Sequence, residues 1–270
     1  MTMCVEGTPL IFHERDGLLV KHEECSCPAG PHFSKTRGVF KHIQKREEQF
    51  IGVLDTYHSQ GGWAVARACH LLGKQCVNFY AQRKGEYGGA MRPQQRASAE
   101  LGAQMLPMQA TMSAILYHKA RAWLRNSDYA DMAYMMPNAL KLDESVEETA
   151  RELIRTPIPE DVTHILVPSS SATIAAGVCY GLRNNGVRVI VHLGYSRPVH
   201  KVLSYIDTMA GIGMSDRVIV IDEGYAYKDK AWAGPDPEWP CNEYYDLKSY
   251  RWWMREGRRQ YPNTLLWNVG

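Results

Sequence analysis

Lys35, in the stretch FSKTRGVF (33–40), is the residue with the most suggestive chemistry in this sequence. It lies where a segment rich in Cys, Pro and Gly gives way to a helical pattern. A primary amine held at such a boundary can act as a nucleophile that forms a Schiff base with a carbonyl group. Lysine is more commonly a solvated surface charge, and the stretch alone leaves both interpretations open.

A polar turn follows the first strongly apolar stretch, within YHSQGGWAVA (57–66). The pattern predicts that a strand ends here and a helix begins. The turn consists of Ser59, Gln60, Gly61 and Gly62. Glycines let a ligand approach the backbone, and the N–H groups of a helix start favour a carboxylate. Simple N-capping by the serine is the alternative.

A second turn of this kind lies within VPSSSATIAAG (167–177). The turn contains one alanine, Ala172, and three hydroxyl side chains, those of Ser170, Ser171 and Thr173. Hydroxyls together with helix N–H groups form a phosphate cradle without charged side chains, although ordinary capping again remains open. Neither turn has the glycine spacing of a dinucleotide-binding motif or a P-loop, so NAD and ATP are disfavoured.

Possible metal ligands cluster in KHEECSCPAGPH, namely His22, Cys25, Cys27 and His32. Structural zinc sites prefer cysteines two to four residues apart, and Cys-x-Cys is tighter than that. The seven cysteines are odd in number and scattered, which favours reduced thiols over a disulfide framework. We therefore expect buried or loop thiols and no metal.

Length and charge restrict the class of protein. A chain of 270 residues fits one domain or two interlocked lobes, and the net charge of +2 requires neither a nucleic-acid nor a membrane partner. The basic, aromatic run 248–261 is typical of a helix with a solvated charged face. Because no apolar run approaches a membrane span and no signal-peptide pattern is present, we expect a soluble, cytoplasmic protein.

Strand and helix patterns alternate along the chain. The predicted strands are 50–57, 74–81, 103–108, 132–137, 163–169, 187–195 and 216–222, and the predicted helices are 61–73, 92–102, 111–126, 143–155, 198–210 and one ending near 184. This alternation predicts a doubly wound, mostly parallel α/β sheet. Ligands in such sheets bind at the carboxyl ends of the strands, where both polar turns are placed.

Together these motifs resemble the fold-type-II pyridoxal-phosphate (PLP) enzymes, and most of all the aminocyclopropane-carboxylate deaminase and D-cysteine desulfhydrase group. The similar segments occur in the family's order: TPL (8–10), LLVKHEECSCPAGPHFSKTRG (18–38), HSQGGWAVARACHLLGKQCVNF (58–79), MRPQQRASAELGAQM (91–105), PSSSATIAAG (168–177), YYDLKSYRWW (244–253) and NTLLWNVG (263–270). The resemblance implies a tryptophan-synthase-beta-like fold of two lobes. Residues 1–44 and 151–270 would form the larger, cofactor-binding lobe, and residues 45–150 a smaller inserted α/β lobe.

The resemblance also implies roles for individual residues. Lys35 would form the aldimine with PLP, with Ser59 and Tyr245 assisting catalysis. The substrate would meet Ser59, Gln60, Gly61 and Gly62, and the cofactor would meet Gln60, Ser170, Ser171, Ala172, Thr173, Glu238 and Asn268. Glu238 and Asn268 are the candidates for the partner of the pyridine nitrogen. Gly38 replaces a second family lysine, the phosphate turn lacks the family's glycines, and segment 222–244 is shorter.

The resulting expectation is a PLP-dependent lyase or deaminase, acting as a homodimer on an amino acid or an amino-acid-like amine. Two alternatives remain open. The shortened segment 222–244 would suit an amino acid attached to a carrier, such as a modified nucleic-acid base, for decarboxylation or elimination. Alternatively, the lost glycines mark a degenerate scaffold that binds PLP without catalysis.

Overall fold

A computed structural model of the chain describes residues 6–27, 30–82, 91–109, 111–183 and 186–270. These residues form two compact units. Unit 1 consists of Lys35–Leu142 with the short segment 30–31. Unit 2 consists of Asp143–Gly270, His32–Ser34 and the described N-terminal part up to residue 27. The lobe bounds expected from the sequence, with the smaller lobe at 45–150, stay a prediction.

The order of strands and helices follows the predicted alternation. The strands are β1 (Leu10–His13), β2 (Leu18–His22), β3 (Phe50–Asp55), β4 (Gln75–Gln82), β5 (Gln104–Gln109), β6 (Ala133–Met135), β7 (His164–Ser169), β8 (Arg188–Leu193), β9 (Val218–Ile221) and β10 (Thr264–Asn268). The longer helices are α1 (Thr36–Gln44), α2 (Gly61–Leu72), α3 (Pro93–Glu100), α4 (Ser113–Arg125), α5 (Asp143–Arg155), α6 (Thr173–Gly181), α7 (Val199–Ala210) and α8 (Asp246–Trp252).

Unit 1 contains a four-stranded parallel sheet in the order β5-β4-β3-β6. Strand β3 is apolar up to its last residue, Asp55, as is typical of a strand inside a parallel sheet, and its last five residues are buried. Helix α4 packs closely on this sheet, and a Cβ at Gly52 would lie 2.8 Å from Leu124 Cδ2. Residues of β3, β4 and α4, including Leu54, Phe79 and Leu124, form the core. Packing against this core therefore fixes the position of the carboxyl end of β3 within unit 1.

Unit 2 contains a six-stranded sheet in the order β1-β2-β10-β7-β8-β9. Only the β1–β2 pair is antiparallel among the strands that the structure describes. The last strand, β10, lies between β2 and β7, so the chain's two ends meet in the middle of the sheet. Consequently the carboxyl ends of β2, β10, β7 and β8 point to one edge. The predicted fold class, mostly parallel α/β, is confirmed.

Helix α6 is held against α5 by small residues. A Cβ at Gly177 would lie 2.5 Å from Thr149 Cβ, and one at Gly181 would lie 2.7 Å from Leu153 Cδ2. Larger side chains at these positions would push the helices apart. The N-terminus of α6, at Thr173, is thereby fixed beside the end of β7. Across the described ranges, no helix combines the length and apolar character that crossing a membrane requires.

The periodicity missed three strands. Strands β1 and β2 were not predicted, and β10 was indicated only by the family resemblance, whereas the helix inferred from the run 248–261 overlaps α8. Strands β1 and β2 have four and five residues, too few for a clear alternation of apolar and polar positions. These strands matter because they bring residues 13 and 22 into unit 2.

Candidate functional site

Lys35 lies directly before α1 and is buried, with 9% of its surface exposed. Its Nζ donates a hydrogen bond to the Ala139 carbonyl oxygen at 3.2 Å. Burial, together with the positive charge of Lys141, lowers the pKa of Lys35 to about 7. Since the unprotonated amine is the nucleophilic form, a large fraction of Lys35 is reactive at neutral pH.

The turn that accepts this hydrogen bond has an unusual backbone. Ala139 and Leu140 have φ values of +60° and +47°, in the left-handed region that non-glycine residues seldom occupy. Leu140 is buried, and a Cβ at Gly61 would lie 3.0 Å from its Cδ1. One turn therefore contacts both Lys35 and the start of α2, so unit 1 brings two of the predicted site segments together.

The start of α2 shows the capping interaction that the sequence left open. Ser59 Oγ accepts a hydrogen bond from the Gly61 N–H at 3.1 Å. Gln60 is the N-cap residue, and its side chain makes no capping hydrogen bond. Ser59 therefore stabilises the helix start, and its predicted role in proton transfer stays a prediction.

Gly62 is required by packing against two polar side chains. A Cβ at this position would lie 2.6 Å from Asn78 Nδ2 and 2.7 Å from Asp55 Cγ. Burial raises the pKa of Asp55 to about 8, so this carboxyl group is largely protonated at neutral pH. Because Gly62 has no side chain, the first turn of α2 can pack against Asp55 at the end of β3.

Unit 2 contains the second predicted turn, between β7 and α6. Ser171 Oγ and Thr173 Oγ1 lie 2.9 Å apart, and Thr173 is the first residue of α6. Ala172 has a φ of +66° and ψ of 3°, a conformation in which glycine is more usual. The backbone therefore takes a conformation that suits glycine in spite of the alanine side chain.

Arg197 adds a positive charge to this turn. Its guanidinium donates a hydrogen bond to the Ser170 carbonyl oxygen. A helix N-terminus, two hydroxyls and one guanidinium in a single turn favour a phosphate group. Sequence reasoning missed Arg197 because it is 27 residues away along the chain. Its place just after β8, the strand next to β7, is the signal that could have found it.

Asn268 and Asp246 lie at the carboxyl end of β10. Asn268 Nδ2 donates to the Pro240 carbonyl at 3.0 Å, and its Oδ1 accepts from the Cys241 thiol at 3.5 Å. Asp246 Oδ1 accepts the Val269 N–H at 2.8 Å, whereas its Oδ2 is buried and has no hydrogen-bond partner among the described residues. Burial raises the pKa of Asp246 to about 7.

Tyr245 and Glu238 differ in their surroundings. A Cβ at Gly194, just after β8, would lie 2.6 Å from Tyr245 Cδ1, so this ring lies at the carboxyl edge of the sheet. Burial and the neighbouring Tyr227 and Tyr195 raise the pKa of Tyr245. The Glu238 side chain is 51% exposed and lies 3.5 Å from Arg15 Nη1. Asp246, which follows Tyr245 directly, was not singled out from the sequence.

Comparison with known proteins identifies the family. No family model matches the chain. It is similar to the glycyl-dTMP PLP-dependent decarboxylase of Pseudomonas phage M6, with 46% identity over 283 residues, 99% of this chain and 100% of the relative. The chain belongs to the family of that decarboxylase. Since that relative is PLP-dependent, the predicted cofactor, pyridoxal 5′-phosphate, is confirmed.

Solved structures confirm the fold of this decarboxylase-family chain. A structure of an ACC deaminase homologue matches with a TM-score of 0.80 at 13% identity, covering 100% of this chain and 90% of that one. A fungal L-serine ammonia-lyase from Rhizomucor miehei matches with a TM-score of 0.68 at 14% identity, covering 100% and 95%. The predicted fold-type-II PLP architecture is therefore confirmed.

The expected reaction needs correction. A lyase or deaminase acting on an amino acid or an amino-acid-like amine was the main expectation, and it is wrong, because the relative that is 46% identical is a decarboxylase. The finding agrees with the first alternative, an amino acid attached to a carrier. Reaction type depends on which bond at one carbon is broken, and the motifs shared across fold-type-II enzymes do not differ at that level.

Proposed function

We propose that the protein is a PLP-dependent decarboxylase whose substrate is a glycyl group carried on a thymidine nucleotide. The observation that carries this proposal is the 46% identity over the full length of a relative with that activity. Identity at this level over 99% of the chain spans every segment discussed above. The homodimer expected from the sequence stays a prediction.

The described residues fit the cofactor. PLP needs an anion site for its phosphate, a partner for its ring nitrogen and an amine for its aldehyde. In unit 2, Ser171, Thr173 and Arg197 offer the anion site, and the orphaned Asp246 Oδ2 offers the ring partner. In unit 1, Lys35 offers a buried amine of lowered pKa. We assign the ring nitrogen to Asp246 rather than to Glu238 or Asn268.

PLP supplies an electron sink for the electron pair of the bond that breaks. Asp246 would keep the ring nitrogen protonated, because a buried carboxylate with one vacant oxygen favours a positively charged neighbour. Lys35, with a pKa of about 7, can both hold and release a proton at neutral pH. Lys35 would therefore have the acid–base role, and Asp246 would stabilise the positive charge of the ring nitrogen.

The start of α2 favours loss of a carboxylate over its tight binding. Ser59 Oγ occupies the Gly61 N–H, and the apolar Leu140 side chain contacts the same glycine. A carboxylate placed there would not have the Gly61 N–H as a free donor and would be partly desolvated by Leu140. Since carbon dioxide is neutral, weak binding of the carboxylate lowers the barrier more than strong binding would.

The test is direct assay of the purified holoenzyme with glycyl-dTMP. We expect release of carbon dioxide and a product lighter by one CO2, with no ammonia. Lys35→Ala serves as the inactive control, and free glycine tests whether the nucleotide is required. Release of ammonia without carbon dioxide would overturn the proposal. Absence of any turnover, in a protein that binds PLP, would instead support the degenerate scaffold.

A further inference from the structure

The groups assigned to PLP account for the reaction of the glycyl part of the proposed substrate, and its thymidine nucleotide needs a binding site as well. A nucleobase is a flat aromatic ring, and proteins bind such rings by stacking them on aromatic side chains. Two partly exposed tyrosines of unit 2, Tyr195 and Tyr227, follow the neighbouring strands β8 and β9. They therefore lie at the carboxyl edge of the sheet, where ligands of such folds bind.

The two tyrosine rings contact each other edge to face. Their centroids are 5.3 Å apart, and their planes make an angle of 86°. In this arrangement the edge of one ring meets the face of the other, so the contact covers at most one face of each ring. A flat ligand can therefore stack on one ring while the other ring borders its edge.

Hydrogen bonds hold the backbone that carries the second tyrosine beside the end of β8. The Ser196 N–H donates to the Tyr225 carbonyl oxygen at 2.8 Å, and Ser196 Oγ donates to Asp222 Oδ1 at 2.6 Å. Asp229 Oδ2 accepts the Ala226 N–H at 2.7 Å, which closes the turn around the tyrosine. Since this backbone is already held in place, a ligand that binds to the rings orders little of the chain.

Lys248, a fully buried residue of α8, contacts both segments that carry the rings. Its Nζ donates a hydrogen bond to the Gly194 carbonyl oxygen and lies 4.3 Å from the centroid of the Tyr225 ring. Gly194 directly precedes Tyr195, and Tyr225 lies two residues before Tyr227. The buried lysine thus links the two segments from the interior of unit 2.

The ring pair adjoins groups that we assign to PLP. Arg197, the cation of the phosphate turn, lies two residues after Tyr195. Gly194, on the other side of Tyr195, packs against the ring of Tyr245, since a Cβ at Gly194 would lie 2.6 Å from Tyr245 Cδ1. Tyr245 directly precedes Asp246, the assigned partner of the ring nitrogen. Because the glycyl group is joined covalently to its nucleotide, a base site must lie near these groups, and the pair meets that condition.

We propose that Tyr195 and Tyr227 bind the thymine base of the substrate by stacking. The proposal rests on the proposed function, from which it takes the thymidine nucleotide. The interaction is non-covalent and is the same before and after the carbon–carbon bond breaks, so it contributes to substrate binding more than to the chemical step. It would also favour the nucleotide-bound glycyl group over free glycine, which has no ring to stack.

A purely structural role for the two rings is the alternative. Tyr195→Leu and Tyr227→Leu remove a ring, whereas Tyr195→Phe and Tyr227→Phe keep the ring and remove only the hydroxyl. Tyr261→Leu is the matched control, because Tyr261 is a partly exposed tyrosine of the same unit whose ring lies 4.8 Å from that of His164. It lies before β10, at the opposite, amino edge of the sheet. Melting temperatures show which variants fold.

Calorimetric titration of the PLP-loaded protein with dTMP gives the first readout. We expect each leucine variant at the ring pair to bind dTMP about tenfold more weakly, because one stacking surface is lost. The phenylalanine variants and Tyr261→Leu should bind dTMP as the wild type does, and the absorbance of the bound cofactor should not change. Wild-type dTMP affinity in the two folded leucine variants, or an equal loss in Tyr261→Leu, would overturn the base site.

NMR of the wild-type holoenzyme with labelled tyrosines gives a readout that does not depend on the folding of a leucine variant. We expect nuclear Overhauser contacts between the thymine methyl group of dTMP and the rings of Tyr195 and Tyr227, identified by their loss in the corresponding phenylalanine variants. A dTMP complex without these contacts, or no binding of dTMP at millimolar concentration, would reject the base site.

Decarboxylation of glycyl-dTMP separates the two proposals. We expect the leucine variants to raise KM by about the same factor as they weaken dTMP binding, with little change in kcat. Turnover with an unaltered KM in both variants would support the proposed function and reject the base site. Binding of dTMP at the two tyrosines without release of carbon dioxide from glycyl-dTMP would leave the base site standing and reject the proposed function.

Discussion

Two buried lysines, one in each unit, show how neighbours decide what a lysine does. Lys21, on β2 of unit 2, is 1% exposed, and its Nζ lies 2.6 Å from both Glu152 Oε1 and the Thr8 carbonyl oxygen. Lys35 of unit 1 is 9% exposed and donates to a carbonyl oxygen at 3.2 Å. One side chain meets a carboxylate, whereas the other has a second cation, Lys141, in its vicinity.

The difference follows from the cost of burying charge. Burial destabilises an ammonium group by several kcal/mol unless an opposite charge compensates it. Glu152 supplies that charge for Lys21, so the pair is a structural link between β2 and α5. At Lys35, burial and Lys141 act in the same direction and favour the neutral amine. Burial beside a carboxylate favours the charged ammonium group, and burial beside a like charge favours the neutral amine, which is the form that a nucleophile needs.

Replacing Lys35 tests the nucleophile with the largest expected effect. Lys35→Ala should lower turnover of glycyl-dTMP by about 10⁴-fold or more, because no other group can supply the covalent link to PLP. Borohydride reduction of the wild-type holoenzyme followed by peptide mapping should place the cofactor on Lys35. Lys41→Ala, on the following helix, is the control and should remain active. Cofactor found on Lys21 would contradict the assignment of Lys35 as the PLP-binding lysine and of Lys21 as a structural residue.

Replacing Lys21 tests the structural link. Lys21→Met should lower the free energy of unfolding by about 3 kcal/mol, because the buried Glu152 would lose its nearest cation, although Arg155 Nη1 stays 3.6 Å from its Oε2. Denaturant unfolding of the cofactor-free protein measures this. The double variant Lys21→Met with Glu152→Gln should recover much of the loss. A single-variant cost below about 1 kcal/mol would show that the pair contributes little.

Replacing Lys35 by methionine should stabilise the cofactor-free protein, whereas replacing Lys21 should destabilise it. The pKa of Lys35 in the folded state, about 7, lies below the ordinary lysine value of 10.5, so folding releases a proton between these pH values. Wild-type stability should therefore rise with pH from about 7 to 10.5. Lys35→Met should stabilise the cofactor-free protein by a few kcal/mol below pH 7, and this gain should vanish toward pH 10.5. A gain that did not depend on pH would reflect packing alone.

Removing the neighbouring cation should have the smallest effect. Lys141 is exposed, so water screens much of its influence. Lys141→Gln should move the pH midpoint of Lys35 acylation upward by on the order of half a unit, with the amine becoming slightly more basic. Lys119→Gln, an exposed lysine elsewhere in unit 1, should leave the midpoint unchanged. A downward shift would contradict the part assigned to Lys141.

Local pattern in the sequence was enough for most of the fold. The apolar spacing and acidic start of α5 predicted its bounds, Asp143–Arg155, and the predicted strand 163–169 agrees with β7 to within one residue. These features depend on residues three to five positions apart, which the sequence displays directly. The family resemblance then pointed to Lys35 and to the turn at Ser170–Thr173, whose roles stay proposals.

Tertiary structure alone decided the surroundings of those residues. Lys35 meets Ala139 from 104 positions away, Lys21 meets Glu152 from 131 positions away, and Arg197 meets Ser170 from 27 positions away. No local pattern encodes these contacts, because they arise only when the packed fold brings segments that are distant in sequence together. The pKa of a buried group depends on its nearest charges. The sequence could therefore place a lysine before α1, but only the packed chain could make it a neutral amine.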